Sequence, residues 1–397
     1  MPYPSNHVEW LEKLISFDTT SRNSNLNIVT YLKEYLESVG VSAEVHFNET
    51  RQKANLFAVL PSKSSSTTGG IVLSGHLDVV PVDGQKWDFN PFRLTSNGDN
   101  FYGRGTCDMK GFIAVCMSLV PQLLKMPRNR PVYLAWTYDE EVGCLGGRAL
   151  TQYLKSRKIK PDGCLVGEPT SNKVIVAHKG ICVWTVRVKG KAAHSSYALT
   201  SASCNAIDYA ARLIVKIREI AEDIAENGVN DRFFDVPCTT MSTNLINGGI
   251  AINTVPAECT FSYEFRNLPE MAQEAIQERV SNYVETELLP KMKKEYSDAA
   301  ICIDNLARVP SFPDAEEKDP FVALVRALTG DKETHKLGGA TEAGLYALIG
   351  VPVLVCGPGS IAVAHQANEF VPKKDLEDSR NLVLNLVKKN QGMEAHM

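Results

Sequence analysis

Two histidines and a set of carboxylates recur in one kind of place along the chain. His76 and Asp78 close an apolar run at 71–76, and Asp108 follows a glycine-bearing segment at 102–107. Glu140 and Glu141 close the run 132–138, Glu168 closes 163–167, and His365 follows Gly357-Pro-Gly-Ser. Zinc binds imidazole nitrogen and carboxylate oxygen, and a catalytic zinc site keeps one position open for water. If Asp108 is shared by two ions, the pair can clamp both the attacking and the departing oxygen of a hydrolysis. The tandem glutamates then divide the work: one ligates, and its neighbour is the base that takes a proton from water. Asp78 is expected to fix the His76 ring through its other nitrogen. Taken singly, a histidine at a strand end is usually structural and consecutive acids are usually a solvated turn. Their repetition at successive strand ends points to one metal site.

The elements that must position these residues are legible in outline. Short apolar runs bounded by turn formers read as buried strands of a parallel sheet. Positions i and i+2 of a strand face the same way, so His76 and Asp78 project together. Runs at 41–47, 55–60, 71–76, 132–138 and 163–167 alternate with helical patterns at 7–17, 26–39, 112–125 and 147–158. That is the α/β pattern, whose sites form outside the carboxyl ends of the strands. The predicted fold is a mixed, largely parallel sheet flanked by helices. The Ser/Thr-rich stretch 62–70 is expected to be a mobile connection.

From 181 the order changes. A strand at 181–188, a helix at 203–222, strands at 241–246 and 259–266, a helix at 271–289 and a strand at 300–304 follow the ferredoxin-like split order. The expected organisation is a catalytic domain from 1–180 and 309–391, interrupted by an inserted α+β domain at 181–308. Helices at 320–328, 342–349 and 375–390 and a strand at 351–355 complete the first domain, and 392–397 is a tail expected to be disordered.

A chain of 397 residues exceeds the size of one ordinary core, in keeping with two domains. A formal charge of −4 gives no electrostatic footprint for nucleic acid. The longest apolar stretch is too short to span a bilayer, and the start lacks the basic and apolar regions of a signal peptide. Ten cysteines with no Cys-x-x-Cys pair indicate neither a zinc ribbon nor a disulfide framework, so reduced thiols in the cytoplasm are expected.

The segments Ser74-Gly-His-Leu-Asp-Val-Val-Pro81, Gly103-Arg-Gly-Thr-Cys-Asp-Met-Lys-Gly111, Asp139-Glu-Glu-Val-Gly143, Gly167-Glu-Pro169 and Ala364-His-Gln-Ala-Asn-Glu369 resemble the dinuclear zinc amidohydrolases, the family of aminoacylases, desuccinylases and acetylornithine deacetylases. The resemblance covers nearly the whole chain, in order. It implies that His76, Asp108 and Glu168 hold one zinc, that Asp108, Glu141 and His365 hold the other, and that Glu140 is the general acid/base. Cobalt or manganese can serve the same ligands. The inserted domain resembles the family's lid and dimerisation domain. This implies a homodimer in which His194 reaches the partner's site and stabilises the oxyanion, with Asn253 and Arg266 on the substrate's α-carboxylate region. Glu264 stands two residues before that arginine where the family has Asp.

Ser16-Phe-Asp-Thr-Thr-Ser21, Ala340-Thr-Glu-Ala343 and Cys356-Gly-Pro-Gly-Ser-Ile361 are most similar to the branch that hydrolyses N2-acetyl-L-ornithine to L-ornithine and acetate in arginine biosynthesis. Glu342 is expected to favour that substrate's side-chain ammonium over an extra carboxylate; a glutamate at a helix start equally answers the helix dipole. Other N-acyl amino acids, such as N-acetylmethionine or N-succinyl-diaminopimelate, and dipeptides are the alternative substrates. A metal-binding protein without catalysis is the reading of another class.

Overall fold

The computed structural model describes residues 3–63 and 68–391, so the tail at 392–397 and the centre of the 62–70 connection lie outside the described residues. The chain divides into two compact units. One comprises Met1–Ala177, Asp314–His335 and the segment from Thr341 onward; the other comprises His178–Pro313 and Lys336–Ala340. The segment Lys336–Ala340 therefore departs from the expected continuous return to the first domain. Two contacts inside the second unit explain why: Lys336 is paired with Asp231 at 2.6 Å, and Lys179 donates its backbone N–H to the Leu337 carbonyl.

The first unit is built on a sheet whose strands run in the order Ala43–Phe47, Ala54–Leu60, Val132–Thr137, Ile71–His76, Gly163–Val166, Val353–Val355, Ile175–His178. The four strands from Val132–Thr137 to Val353–Val355 are mutually parallel. Ala54–Leu60 runs antiparallel to its neighbours on both sides. The fold is thus α/β with a mixed, largely parallel sheet. All four parallel strands are buried throughout, which is why they read as unbroken apolar runs rather than alternations.

The helix Lys110–Lys125 is buried on nearly every side, from Phe112 and Ile113 to Leu119 and Val120. Its first residue, Lys110, is fully buried and donates from Nζ to the carbonyls of Leu14 and Phe17 at 3.2 and 2.9 Å. A buried ammonium needs such partners, and these two tie the end of the helix His7–Ile15 to the turn that carries Asp108. That first helix is capped at Asn6, whose side chain accepts from the N–H groups of Val8 and Glu9.

Periodicity misses several short elements. Thr95–Asn97, Asn100–Tyr102 and Phe370–Pro372 form a three-stranded sheet of three-residue strands, too brief to show an alternation. Ile175–His178 and His335–Leu337 escape for the same reason.

In the second unit a four-stranded antiparallel sheet, in the order Thr240–Gly248, Glu258–Arg266, Ile181–Lys189, Ala300–Val309, packs on the helices Ala206–Asn227 and Gln273–Tyr283. The predicted helix end at 289 is wrong. A π-helical segment Val284–Leu288 leads into a further helix Leu289–Glu295 that contains Pro290 in its first turn. Proline's missing N–H leaves nothing unsatisfied at that position. The last strand likewise runs to Val309 rather than 304.

Candidate metal centre

Each parallel strand delivers its residues at the carboxyl end. His76 is the last residue of its strand; Glu140 and Glu141 lie just beyond Val132–Thr137, Glu168 just beyond Gly163–Val166, and His365 on the connection after Val353–Val355. Asp108 comes from the turn before the Lys110–Lys125 helix. Gly167 shows how closely the parts approach, since a Cβ there would lie 1.9 Å from Phe112 Cγ. Only glycine lets Glu168 follow that strand under the helix.

Two donor groups result among the described residues, His76–Asp108–Glu168 and Asp108–Glu141–His365, each with its ligand atoms within 4.8 Å of one another. His76 Nε2 is 3.0 Å from Asp108 Oδ1 and 3.8 Å from Glu168 Oε1. His365 Nε2 is 3.1 Å from both Asp108 Oδ2 and Glu141 Oε2. His365 adopts a left-handed backbone at φ +62°, a conformation that non-glycine residues keep when their surroundings dictate it.

The electrostatics call for positive charge. Burial, followed by like-charged neighbours including Asp108, pushes the Glu140 and Glu168 carboxyls well above the ordinary range, though His76 opposes the rise. Burial and Asp108 push Glu141 up to about 7. The hydrogen bonds to Asp108 and Glu141 hold His365 up at about 10. His76 Nδ1 donates to the Asp78 carbonyl at 2.9 Å, so its Nε2 lone pair faces a carboxylate unless a proton or a cation lies between them. Glu141 Oε1 is buried with no hydrogen-bond partner. Hard oxygen and imidazole donors, shared carboxylate Asp108 and an orphaned buried oxygen fit two divalent ions.

The expected part played by Asp78 needs correction. The His76 ring is held by the Asp78 backbone carbonyl, whereas the carboxylate lies 3.6 Å from Nδ1. That carboxylate instead accepts the backbone N–H groups of Glu140 and Glu141, at 3.1 and 3.3 Å, and the Ser21 hydroxyl at 2.7 Å. Two amides and a hydroxyl satisfy it better than a ring already engaged by a carbonyl. Asp78 therefore anchors the glutamate pair, and Lys53 holds the preceding Asp139 from behind through a buried ion pair.

Sequence reasoning missed Glu369 and Arg104. Glu369 is buried and accepts four hydrogen bonds: from Arg104 Nη1 at 2.5 Å and the backbone N–H groups of Gly105, Cys107 and Asp108. Arg104 also donates to Gln85 Oε1, and Gln85 Nε2 donates to the His365 carbonyl at 2.7 Å. One ion pair thus fixes the backbone of Asp108 and, through Gln85, that of His365. The three-stranded sheet brings Glu369 there, with Gly103 N–H donating to the Glu369 carbonyl. The available signal was an arginine and a glutamate inside the two segments that carry Asp108 and His365.

Glu342 overturns its expectation. Its side chain turns into the interior, with Oε2 3.4 Å from the Ser74 hydroxyl and Thr137 as a second hydrogen-bond partner, and it packs against Gly147. A carboxylate 1 % exposed and enclosed by protein groups is not placed to select a substrate's ammonium. Burial raises its pKa from 4.5 to about 7. Between those values the native protein keeps a proton that the unfolded chain has released, so stability falls as pH rises, and the full penalty applies above about 7. Glu342→Gln should remove this slope, a difference of up to about 1.4 kcal/mol per pH unit between pH 4.5 and 7. It should also leave the ranking of N-acyl amino acids unchanged. Denaturant titrations across that range and a substrate panel check both outcomes; parallel stability profiles would contradict the assignment.

The remaining expected site residues lie in the second unit. His194 is exposed, with Nδ1 2.9 Å from Ser196 Oγ, in a short strand Ala193–His194 paired with Thr254–Val255. Asn253 is next to that ladder and accepts the Ser195 N–H at 2.9 Å, so His194 and Asn253 are neighbours. Arg266 ends the strand Glu258–Arg266 and donates to Glu264 Oε1 at 3.2 Å.

Residues 72–389 match the family model of peptidase family M20/M25/M40. The acetylornithine deacetylase of Pasteurella multocida (strain Pm70) is 33% identical over 374 residues, 94% of this chain and 93% of that protein. That of Proteus mirabilis (strain HI4320) is 32% identical over 372 residues, 93% and 91% of the two. Among solved structures, an M20 family metallo-carboxypeptidase from Sulfolobus solfataricus superposes with a TM-score of 0.74 at 17% identity, covering 98% of this chain and 99% of that one. The aminopeptidase PepT from Bacillus cereus gives 0.71 at 20% identity, covering 97% and 98%. These structural likenesses speak to the fold alone. With the family model matched from the His76 strand to the last helix, the chain belongs to peptidase family M20/M25/M40.

Proposed function

We propose that this metal-dependent hydrolase removes the acetyl group of N2-acetyl-L-ornithine, consuming water and yielding L-ornithine and acetate for arginine biosynthesis. The observation that carries the reading is the pair of donor groups sharing Asp108, with Glu140 beside them and outside both. The relatives at 32–33% identity, each named acetylornithine deacetylase, supply the substrate.

His76, Asp108 and Glu168 would hold one ion and Asp108, Glu141 and His365 the other, two zinc ions per subunit. Bound there, they would supply Lewis acidity to the amide carbonyl and to water. Glu140 takes the proton from the attacking water as the C–O bond forms, and then passes it to the departing amine nitrogen as the C–N bond breaks. Asp78 keeps the glutamate pair in place by its two amide hydrogen bonds. Glu369 and Arg104 fix the bridging Asp108.

The protein acts as a cytoplasmic homodimer joined through the second unit. Supporting this, Thr240–Gly248 is an edge strand, and Leu245, Ile246, Ile250 and Ile252 on and after it are exposed. Unpaired strand edges with apolar side chains are sites for pairing with another chain. His194 of the second copy stabilises the oxyanion, while Asn253 and Arg266 bind the substrate's α-carboxylate region. No described helix is long and apolar enough to cross a membrane, and none of the ten cysteines is paired.

Relative kcat/KM on N-acetylornithine, N-acetylmethionine, N-formylmethionine and N-succinyl-diaminopimelate tests the substrate. N-acetylornithine should lead the panel by at least about tenfold, the rate equivalent of 1.4 kcal/mol. A clear preference for any of the others would replace the substrate and keep the chemistry.

A further inference from the structure

The turn Glu140–Cys144 is more tightly built than a ligand and a base require. The N–H groups of Gly143 and Cys144 both donate to the Glu140 carbonyl at 3.0 Å, that of Leu145 to the Asp139 carbonyl at 3.1 Å, and that of Gly146 to the Tyr138 carbonyl at 2.9 Å. These bonds satisfy amides at the start of the helix Leu145–Ser156, which otherwise need a capping side chain. Cys144 stands at the N-cap position and makes no side-chain cap hydrogen bond. Its thiol is therefore available for something else. It lies at φ +55°, where glycine would be less strained, and is 1 % exposed. Such a conformation in a buried non-glycine residue beside reacting groups invites a functional reading.

The thiol Sγ lies 3.4 Å from Glu140 Oε1. Burial, and after it the Glu140 and Glu342 carboxylates, hold the thiol well above its ordinary pKa, so its proton stays on sulfur as a donor. A carboxylate oxygen only accepts, which sets the direction of the bond.

We propose that Cys144 is a positioning residue for the reaction: its S–H donates to Glu140 Oε1, fixes the carboxylate rotamer and leaves Oε2 as the oxygen that takes the proton from water. The thiol supplies one donor and no charge, so the bond orients Glu140 without neutralising its carboxylate. Together with Asp78 on its N–H and the Gly143 and Cys144 amides on its C=O, the base is held at backbone and side chain alike. This rests on the assignment of Glu140 as the base.

Steady-state kinetics on N-acetylornithine with zinc-loaded protein separate the possibilities. Cys144→Ala should lower kcat by about three- to tenfold, as loss of one weak orienting hydrogen bond implies. KM, bound zinc and the denaturation midpoint should stay near wild type. Cys144→Ser, which keeps a donor, should recover most of the loss. In a Glu140→Gln background, Cys144→Ala should have no further effect on the residual rate, as expected for two residues acting as one unit. Wild-type kcat in Cys144→Ala, equal losses in the Ala and Ser variants, or an undiminished loss in the Glu140→Gln background would each overturn the proposal. If Glu140→Gln itself kept wild-type turnover, the assignment of the base would fail instead, which the same series reads directly.

Discussion

Replacing Glu140 by alanine should leave both ions bound and lower kcat on the order of 10²–10⁴-fold, the usual contribution of a positioned general base. Glu140 belongs to neither donor group, so metal content should not follow activity down. Its backbone anchors are unaffected by the substitution: the N–H remains on Asp78 and the carbonyl remains bonded to the Gly143 and Cys144 amides. Glu141 should consequently keep its place beside His365. Metal analysis alongside turnover separates this outcome from general damage, and a Glu140→Ala protein with near wild-type kcat would remove Glu140 from its role.

The second large effect is structural. Glu369→Ala leaves the Arg104 guanidinium buried without its partner and frees the N–H groups of Gly105, Cys107 and Asp108. Removing one member of a buried ion pair typically costs about 3–5 kcal/mol. Because the same carboxylate sets the backbone of Asp108, which both donor groups share, metal affinity should fall along with stability. Urea denaturation and competitive metal titration measure the two effects. A variant as stable as wild type with unchanged metal affinity would show that Asp108 is positioned by other contacts.

Why the site residues were legible in the sequence, and others were not, follows from the physics of the sheet. The parallel strands are buried on both faces and announce themselves as apolar runs, and parallel topology puts all their carboxyl ends on one side. His76, Glu140, Glu141 and Glu168 could therefore be placed near one another from their positions alone. His365 and Asp108 sit on turns, and which ion each would share with which ligands came from a family resemblance rather than from periodicity. Side-chain direction was the harder matter. Asp78 was expected to grip the His76 ring and instead holds two backbone amides; Glu342 was expected to face the substrate and instead faces Ser74. Nothing in residue type or spacing distinguishes those choices. Glu369 was hidden for a different reason: three-residue strands carry no periodic signal, so the small sheet that brings it to Arg104 could not be foreseen. In the second unit the alternation of Glu258–Arg266 was clear, whereas the continuation of the helix past Pro290 depends on a π-helical segment that propensities do not encode.

We propose metal-dependent hydrolysis at the shared Asp108 centre. Its most direct test is ornithine release from N-acetylornithine by the zinc-loaded protein, by the same protein stripped with a chelator, and by the stripped protein after zinc is restored. Turnover that is lost on stripping and returns with zinc, at close to two ions per subunit, is the predicted result. Undiminished turnover in the metal-free protein, or none in the fully loaded one, would contradict it.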